Sequence, residues 1–520
     1  MLDLGTGFLG SVERDPLALA IADGDLTFTY GAWFTRISAL VDALGQIGLA
    51  PGDHVVTALQ NRWENASLHW ACQLAGLVIT PINWRVSGEE LDYSLHDSGA
   101  RVLFHDASAA DAVAASRGAA GIAVHPLDGP DGLTAMLSGT AADAVPRAAA
   151  SDLSLMLYTS GTTSRPKGVP RRHHAERAAA VAHVAQNMYA QGERTLGVMP
   201  LYHTMGVRSL LSASLIGGTF VCLPRFDVPV ALGAIRRHGV TNLYLVPTLY
   251  HDIVYHPDFT PDQVASVRKL GFAGASMTDG LLRKLTEAFQ PDIFVNHYGS
   301  SEVYTFTICQ NAAAKPGSAG RAGINQRIRV VPLGTRDANV LCAPGEEGQI
   351  VASMTGDEAF EGYWNRPEAD HKSIQDGWYF TGDCGLIDAD GDLFVTGRAD
   401  DMIITGGENV SPVEVESCLS LHPAVAEVAV VGLPDERWGK VVVAFVKRGD
   451  DVSADDLDAH CRASDLANFR RPRRYVFVRE IPKSPVGKLL RRLLVAGEFD
   501  PEPVSAAEAD KAGTVQTATT

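Results

Sequence analysis

Hydrophobic and polar positions along the first part of the chain follow two periods. Residues 26–30, Leu-Thr-Phe-Thr-Tyr, alternate as a strand does, and the apolar residues from Trp33 to Leu44 recur at helical spacing until Pro51 ends the pattern. Further strands are predicted at 55–59 and 78–81, with a helix at 68–77 between them. Strands that alternate with helices predict an α/β fold with a large, layered N-terminal domain.

The same alternation returns at 219–246, and the pattern changes near Gly397. The remainder predicts a small α+β domain, with helices at 412–419 and 454–461 and strands at 428–431, 441–446 and 475–478. We therefore place one domain at 1–397 and a second at 398–498. Residues 499–520, rich in Ala, Glu, Thr and Pro, are predicted to be a disordered tail.

Composition narrows the class of protein. The 44 basic and 61 acidic residues leave a net charge of -17, which disfavours nucleic acid and anionic membranes as partners. No run approaches the ~18–20 apolar residues that a membrane span needs, and the N-terminus lacks a secretion pattern. The seven scattered cysteines contain no C-x-x-C pair, so a reducing, cytoplasmic location fits best. A homodimer is left open.

A hydroxyl-rich loop is the strongest chemical signal. Residues 158–169, Tyr-Thr-Ser-Gly-Thr-Thr-Ser-Arg-Pro-Lys-Gly-Val, follow an apolar strand at 153–157. Hydroxyls, glycine and one lysine provide the donors and the cation that a polyphosphate needs. The spacing excludes the P-loop of ordinary nucleoside triphosphatases. Taken alone, such a run is more typical of a polar surface loop than of a phosphate site.

This loop resembles the phosphate-binding signature of the adenylate-forming superfamily, which contains acyl-CoA synthetases, the adenylation domains of peptide synthetases and firefly luciferase. Similar motifs follow in order: M-P-L-Y-H at 199–203, F-A-G-A-S at 272–276, Y-G-S-S-E at 298–302, G-W-Y-F-T-G-D at 377–383, G-R-A-D-D at 397–401, G-G-E-N at 406–409 and P-K-S-P-V-G-K at 482–488. The resemblance implies an adenylation domain followed by a small, mobile C-terminal domain.

The resemblance also implies an ATP site with Mg²⁺. The residues implied around the phosphates are Thr159, Ser160, Gly161, Thr162, Thr163, Lys167 and Ser301, with Glu302 and Thr163 as the Mg²⁺ ligands. The adenine slot is implied at Gly274, Ala275, His297, Tyr298 and Gly299, and the ribose contacts at Asp383 and Arg398. Two departures, Ser164 for glycine and Ser301 for threonine, are not expected to abolish activity.

The second substrate implied by the resemblance is coenzyme A. Lys488 is implied as the catalytic cation of the first step, because a positive charge there would bridge the substrate carboxylate and the α-phosphate. Asp400 matches the hinge about which the small domain rotates. The implied coenzyme A contacts are Gly406 and Gly407 for pantetheine and Arg85, Trp438, Phe469 and Arg471 for the nucleotide end.

The resemblance also implies an acyl pocket, whose matching positions here are His203, Thr204, Tyr244, Ala273, His297 and Tyr304. The aromatic and polar side chains of this set suit a compact ring acid better than a long alkyl chain. His203 would lie between this pocket and the thiol tunnel. The hinge and C-terminal sub-patterns look most like bacterial aryl-CoA ligases of the benzoate, 4-chlorobenzoate and 2-furoate type. We therefore expect an acyl-CoA ligase for a small aromatic or heteroaromatic acid.

Other functions stay open at this stage. A medium-chain fatty acyl-CoA ligase would keep the mechanism and change the pocket, and a stand-alone adenylation enzyme would load a carrier-protein thiol. A nucleotide-binding relative without activity is disfavoured by the complete motif set. A luciferase-like oxygenase would reveal itself by oxygen consumption. His173 and His174 lack a third ligand at suitable spacing, so no metal site is expected there.

Overall fold

The computed structural model describes residues 1–159, 165–398, 401–484 and 489–502. Six predicted site residues lie outside these ranges: Ser160, Gly161, Thr162, Thr163, Asp400 and Lys488. Within the described ranges the strands form three sheets, of six, fourteen and five strands.

The helices lie between and around these sheets. Their bounds are α1 Leu4–Arg14, α2 Tyr30–Gln46, α3 Trp63–Ala75, α4 Gly88–Ser98, α5 Ala110–Ala115, α6 Leu133–Leu137, α7 His173–Gln186, α8 Thr204–Leu215, α9 Val228–His238, α10 Pro247–Val254, α11 Asp279–Phe289, α12 Pro367–Ser373, α13 Pro412–Ser420, α14 Ala454–Ala463 and α15 Arg491–Val495. Helix α9 shows how the local sequence sets where a helix begins and ends. At its start the side chain of Asp227 accepts a hydrogen bond from the backbone N–H of Val230, and at its end Gly239 adopts a left-handed conformation.

The six-stranded sheet carries the start of the predicted phosphate loop. Its strands are β3 His54–Ala58, β4 Val78–Pro81, β5 Val102–His105, β6 Ala123–Pro126, β7 Leu153–Thr159 and β8 Lys167–Arg172, in the order β6-β5-β3-β4-β7-β8. All pairs are parallel except β7 with β8. Every residue of α3 is buried, as expected for a helix enclosed on all sides by apolar neighbours.

The fourteen-stranded sheet contributes most of the remaining candidate residues. Its strands are β1 Leu19–Asp23, β2 Leu26–Thr29, β9 Arg194–Gly197, β10 Thr219–Cys222, β11 Asn242–Leu245, β12 Lys269–Phe272, β13 Ile293–Tyr298, β14 Thr307–Cys309, β15 Ser318–Ala322, β16 Ile328–Val331, β17 Gly348–Ser353, β18 Ile374–Gln375, β19 Trp378–Ile387 and β20 Leu393–Arg398. Neighbours β9 to β13 are parallel, so the ends of β11, β12 and β13 meet at one edge.

The five-stranded sheet belongs to the C-terminal part of the chain. Its strands are β21 Ile403–Thr405, β22 Glu408–Val410, β23 Val425–Asp435, β24 Gly439–Arg448 and β25 Arg474–Phe477. Helices α13 and α14 pack on one face around Val430, Val442 and Leu457. The predicted α/β fold with a smaller α+β C-terminal domain is confirmed, because the last strand of the large sheet ends at Arg398 and this sheet begins at Ile403.

The small domain contacts the large one through α10 and α11, among other elements. His251 of α10 lies with Nε2 2.9 Å from the carbonyl oxygen of Ala426, and the backbone N–H of Gly280 donates to Ser420. At the chain end, Phe499 stacks edge-on against Phe445 at 4.9 Å. The tail predicted from residue 499 is therefore packed at its start, and residues 503–520 lie outside the described ranges. No helix of the described chain is long and apolar enough to cross a membrane.

Candidate active site

The predicted phosphate loop leaves one strand and enters the next at a matched pair of residues. Thr159 ends β7 and Lys167 begins β8, and the two pair directly across the antiparallel ladder. The hydroxyl of Thr159 lies 3.5 Å from the carbonyl oxygen of Lys167. This hairpin fixes where the loop begins and ends, so the predicted loop lysine lies at the foot of the loop.

Lys167, Tyr363 and Glu302 form a connected group on the phosphate side. The ammonium of Lys167 lies 3.9 Å from the centre of the Tyr363 ring, and the Tyr363 hydroxyl donates a 2.6 Å hydrogen bond to Glu302 Oε1. Burial lowers the pKa of Lys167, while the nearby charge of Glu302 raises it. Tyr363 thus orients both a cation and a buried carboxylate, which are the charges that a magnesium-bound triphosphate would meet.

The predicted ribose site forms a second connected group. Asp383 and Arg398 pair across β19 and β20, with Arg398 Nη1 3.3 Å from Asp383 Oδ1. The Tyr298 hydroxyl donates a 2.6 Å hydrogen bond to the other oxygen of Asp383. Burial and the charge of Asp383 raise the pKa of Tyr298, so this hydroxyl keeps its proton and remains a donor. The carboxylate is held in one orientation by donors on both oxygens.

Two glycines shape the predicted adenine side. Gly274, next to Ala275, has a φ of +84°, which favours glycine. At Gly299 a Cβ atom would lie 2.0 Å from the carbonyl oxygen of Tyr304, so a side chain is excluded there. These turns follow the parallel strands β12 and β13 at the sheet edge, where ligands bind in open α/β sheets.

Three rings form the core of the predicted acyl pocket wall. The centres of His183, Tyr244 and His297 lie 4.7–5.0 Å from one another, and all three side chains are buried. Burial lowers the pKa of both histidines well below the usual value, so both are neutral. Ala273, which directly follows β12, is also buried.

Asn187 sets the tautomers of the two histidines. Its amide nitrogen donates to the carbonyl oxygen of His183 at 2.8 Å and lies 3.1 Å from Nδ1 of the same residue. Its amide oxygen is therefore left for His297 Nε2 at 3.0 Å. This network assigns an N–H to Nε2 of each histidine and a bare lone pair to Nδ1 of His297. Neither His183 Nε2 nor His297 Nδ1 has a hydrogen-bond partner among the described residues.

Tyr304, another predicted pocket residue, lies beside two buried guanidinium groups. The Arg171 Cζ atom lies 4.0 Å and the Arg208 Cζ atom 5.0 Å from its ring centre. Arg171 is paired with Glu176 at 2.7 Å, and the Tyr304 hydroxyl donates to the same carboxylate at 3.2 Å. The wall of the pocket therefore carries buried charge that the sequence did not lead us to expect.

Helix α8 connects the pocket wall to the phosphate side. His203 is the residue before its first turn, and the hydroxyl of Thr204 lies 3.2 Å from that of Ser301. Ser301 belongs to the motif that also contains Glu302. The start of α8 is thus joined to the Y-G-S-S-E motif, as the assignment of both to one site requires.

The predicted pantetheine glycines lie against Trp438. The backbone N–H of Gly406 donates to the Trp438 carbonyl at 3.0 Å, and a Cβ atom on Gly406 would lie 2.8 Å from the indole. Both Gly406 and Gly407 have positive φ. Trp438 and Phe469 are each more than a third exposed, with arginine side chains above both rings.

The two predicted coenzyme A arginines differ in their surroundings. Arg471, in the small domain, is buried and pairs with Asp458 and Asn468. Arg85 belongs to the large domain, where its guanidinium stacks 3.6 Å from the ring of Trp84. It lines a groove with a second arginine, Arg225.

Sequence reasoning missed several residues of this site. His183 and Asn187 are four residues apart at the end of α7, and Arg208 follows Thr204 by one helical turn on α8. Tyr363 comes from a loop between β17 and α12. The i, i+4 spacing of a histidine and an asparagine was a usable signal, but their contact with β13 is a property of the tertiary structure.

The donor set is compatible with a magnesium nucleotide. Glu302 supplies a hard carboxylate oxygen beside a cation, and Asp383 a carboxylate already oriented by two donors. Lys372 and Arg398 add positive charge around Lys167. Because these three cations outnumber the Glu302 carboxylate, the site favours binding of a polyanion.

Comparison with known proteins identifies the family of this chain. The family described as "AMP-binding enzyme" matches residues 8–364, and "AMP-binding enzyme C-terminal domain" matches residues 414–488. The chain is 34% identical to a 4-chlorobenzoate–CoA ligase of Arthrobacter over 93% of each chain, and 33% identical to a feruloyl-CoA synthase of Amycolatopsis over 94% of this chain and 97% of that protein.

A solved structure of similar fold carries an acyl-adenylate. An anthranilate CoA ligase in complex with anthranoyl-AMP has a TM-score of 0.89 and 26% identity, covering 96% of this chain and 97% of that one. Relatives named for fatty acids and for loading a fatty acid onto a carrier protein also match along most of the chain. The similarity therefore fixes the reaction class and leaves the acid open.

Proposed function

Because this chain belongs to the AMP-binding enzyme family and is an ATP-dependent acid–thiol ligase, we propose that it joins a small aromatic or heteroaromatic carboxylic acid to coenzyme A. The observation that carries the choice of acid is the buried wall of His183, Tyr244 and His297, whose rings lie within 5.0 Å of one another. A wall of flat, polar-edged rings favours a compact ring acid.

The first half-reaction forms an acyl-adenylate. A carboxylate oxygen of the acid attacks the α-phosphorus of ATP, the bond from that phosphorus to the bridging oxygen breaks, and pyrophosphate leaves. We assign Lys167 to the phosphates, Ser301 to the α-phosphate and Asp383 with Arg398 to the ribose. Lys488 is proposed to offset the charge between the two anions as they approach.

Mg²⁺ would be held by Glu302 and Thr163 and would neutralise charge on the triphosphate. The contribution of this chain is the orientation of the Glu302 carboxylate by the Tyr363 hydroxyl. Thr163 lies outside the described residues, so its part in the site rests on the sequence resemblance alone.

The second half-reaction transfers the acyl group. The sulfur of coenzyme A attacks the acyl carbon, the bond from that carbon to the AMP oxygen breaks, and AMP leaves while the thiol proton passes to solvent. We assign Gly406 and Gly407 to the pantetheine arm, and the exposed Trp438 and Phe469 with their arginines to the nucleotide end. Rotation of residues 398–498 about Asp400 would exchange these residues for Lys488 between the steps.

The test is release of pyrophosphate and AMP from the purified protein with ATP and Mg²⁺. Benzoate, 2-furoate, hydroxybenzoates, cinnamates and short and medium fatty acids are compared, each with and without coenzyme A. We expect coenzyme A-dependent AMP release with ring acids. Turnover with alkyl acids alone would contradict the proposed acid, and acyl transfer to a holo carrier protein but not to coenzyme A would contradict the proposed acceptor.

A further inference from the structure

Arg208 is a buried cation that the proposed reaction does not use. It lies on α8 one turn beyond Thr204, and its side chain is 1% exposed. Its nearest carboxylate, Glu358, is 4.0 Å from Nη2, which is too long for a hydrogen bond. Among the described residues, neither Nε nor Nη2 of Arg208 has a hydrogen-bond partner.

Unpaired donors of this kind are costly. A buried polar group without a partner destabilises the folded protein, and more so when the group is charged. Two nitrogens of Arg208, which carry three N–H groups, and His183 Nε2 lack acceptors among the described residues, and His297 Nδ1 and Glu358 Oε2 lack donors. A set of unpaired donors with acceptors beside it is complementary to an oxygen that can accept several hydrogen bonds and donate one.

The position of Arg208 relates this set to the proposed acyl pocket. Thr204, at the start of α8, contacts Ser301, which we assign to the α-phosphate end of the acyl-adenylate. Four residues, or about 6 Å at a rise of 1.5 Å per residue, separate Thr204 from Arg208 along the helix axis. Arg208 also approaches Tyr304, makes a hydrogen bond to Tyr244, and helps to lower the pKa of His183 and of His297 through its charge. A group that reached Arg208 would therefore be remote from the reacting carboxylate.

The charges of the buried cluster indicate which kind of oxygen substituent on the substrate ring would fit. Arg171 and Arg208 are matched by Glu176 and Glu358, so the buried cluster carries two positive and two negative charges. A second carboxylate on the substrate would bring an unmatched negative charge into this interior, which is unfavourable. An uncharged oxygen would satisfy the donors without disturbing the balance.

Building on the proposed function, we propose that the preferred acid carries an uncharged oxygen substituent, a hydroxyl or carbonyl, at the ring position remote from the carboxyl, and that Arg208 is the residue that selects it. Arg208 donates to this oxygen, and a substrate hydroxyl donates in turn to Nδ1 of His297. An unsubstituted ring leaves these groups unpaired.

The test compares kcat/KM for benzoate, 3-hydroxybenzoate, 4-hydroxybenzoate, terephthalate and hexanoate in the wild type and in the double variant Arg208→Met with Glu358→Gln. This pair of changes removes one charge of each sign, so no buried charge is left unmatched. We expect the wild type to prefer one of the hydroxybenzoates over benzoate by about 10-fold or more, the value of a hydrogen bond to a charged group. The double variant should lose this preference.

A matched control separates recognition from packing. The double variant Arg171→Met with Glu176→Gln removes the other buried ion pair that contacts Tyr304. We expect this control to lower kcat/KM for all the acids by a similar factor, so that the ratio of kcat/KM for hydroxybenzoate to that for benzoate is unchanged. Two outcomes would show that Arg208 is only structural. One is that both double variants lose the preference for hydroxybenzoate over benzoate, and the other is that the Arg208 variant lowers kcat/KM by the same factor for every acid.

The wild-type comparison decides the matter even where a variant does not fold. Equal kcat/KM for benzoate and both hydroxybenzoates, or a preference for terephthalate, would overturn the inference about Arg208 and leave the proposed ligase in place. Activity with hexanoate alone, or with no acid at all, would instead overturn the proposed function and this inference with it.

Discussion

The hydroxyl of Tyr363 donates a 2.6 Å hydrogen bond to Oε1 of Glu302, and the ring of the same tyrosine lies 3.9 Å beneath the ammonium of Lys167. One side chain thus positions the carboxylate proposed for Mg²⁺ and the lysine proposed for the phosphates. Its two contacts can be removed separately, because phenylalanine keeps the ring and lacks the hydroxyl.

We expect Tyr363→Phe to raise the KM for ATP about 10-fold, because Glu302 loses a hydrogen bond to a charged oxygen. Tyr363→Ala should raise it further, since Lys167 then loses the ring as well. The measurement is pyrophosphate release at varied ATP and Mg²⁺. Tyr255→Phe, at a partly exposed tyrosine, is the control. An unchanged KM for ATP in Tyr363→Phe would contradict the role assigned to this contact.

The proposed ribose site predicts sugar selectivity. Asp383 is oriented by Tyr298 and Arg398, so Asp383→Asn should lower kcat/KM for ATP by about 10–100-fold and remove the preference for ATP over 2′-deoxy-ATP. Tyr298→Phe should have the same effect to a smaller degree. Rates of pyrophosphate release with the two nucleotides give the ratio, and a ratio preserved in Asp383→Asn would show that the carboxylate does not contact the ribose.

Coenzyme A binding through Trp438 predicts an effect confined to the second step. Trp438→Ala should raise the KM for coenzyme A about 10-fold, while exchange between ATP and pyrophosphate continues at the wild-type rate. Leu421→Ala, which removes an equally exposed apolar side chain from the same domain, should change neither rate. A fall in the exchange rate of Trp438→Ala would place the indole in the first step instead.

Lys488 is proposed to act in the first step alone. Lys488→Ala should lower acyl-adenylate formation by two orders of magnitude or more, in the range of removing one preorganised charge, and should still form the thioester from supplied acyl-AMP. Acetylation of Lys488 should have the same two effects. Lys483→Ala, which removes a lysine paired with Glu427, is the control. An equal fall in the rates of acyl-adenylate formation and thioester formation in Lys488→Ala would indicate a structural role for Lys488.

The buried His173 predicts acid sensitivity. The backbone N–H of Leu4 donates to Nδ1 of His173, and burial lowers the pKa of His173 from 6.5 to about 4. The folded protein therefore keeps this ring neutral down to about pH 4, whereas the unfolded chain takes up a proton near pH 6.5. Stability should fall as the pH falls through this window, by up to about 1.4 kcal/mol per pH unit from this residue.

Denaturant unfolding between pH 7 and pH 4 measures this dependence. His173→Gln cannot take up the proton and should have a shallower fall in the free energy of unfolding than the wild type. His96→Gln, at an exposed histidine, should leave the slope unchanged. A slope identical in wild type and His173→Gln would show that other groups cause the acid sensitivity.

Much of the fold could be predicted from local pattern. The strands at 55–59 and 78–81 and the helices at 412–419 and 454–461 lie where the periodicity indicated, within one or a few residues at their ends. The period of the apolar residues and the glycines and prolines at the ends of an element are local properties of the sequence. Burial of the apolar face then stabilises the element that they predict. The start of the tail was different, because Phe499 packs on Phe445, a partner about fifty residues away.

By itself the sequence determined the reaction class, because ordered motifs such as 158–169 and 298–302 are continuous in the chain and resemble one family. Only the tertiary structure decided what surrounds them. Tyr363 meets Glu302 across 61 residues, and Asn187 meets His297 across 110. The unpaired N–H groups of Arg208 are likewise visible only in the tertiary structure. Whether a buried polar group has a partner depends on groups brought together by packing, and no local pattern records that.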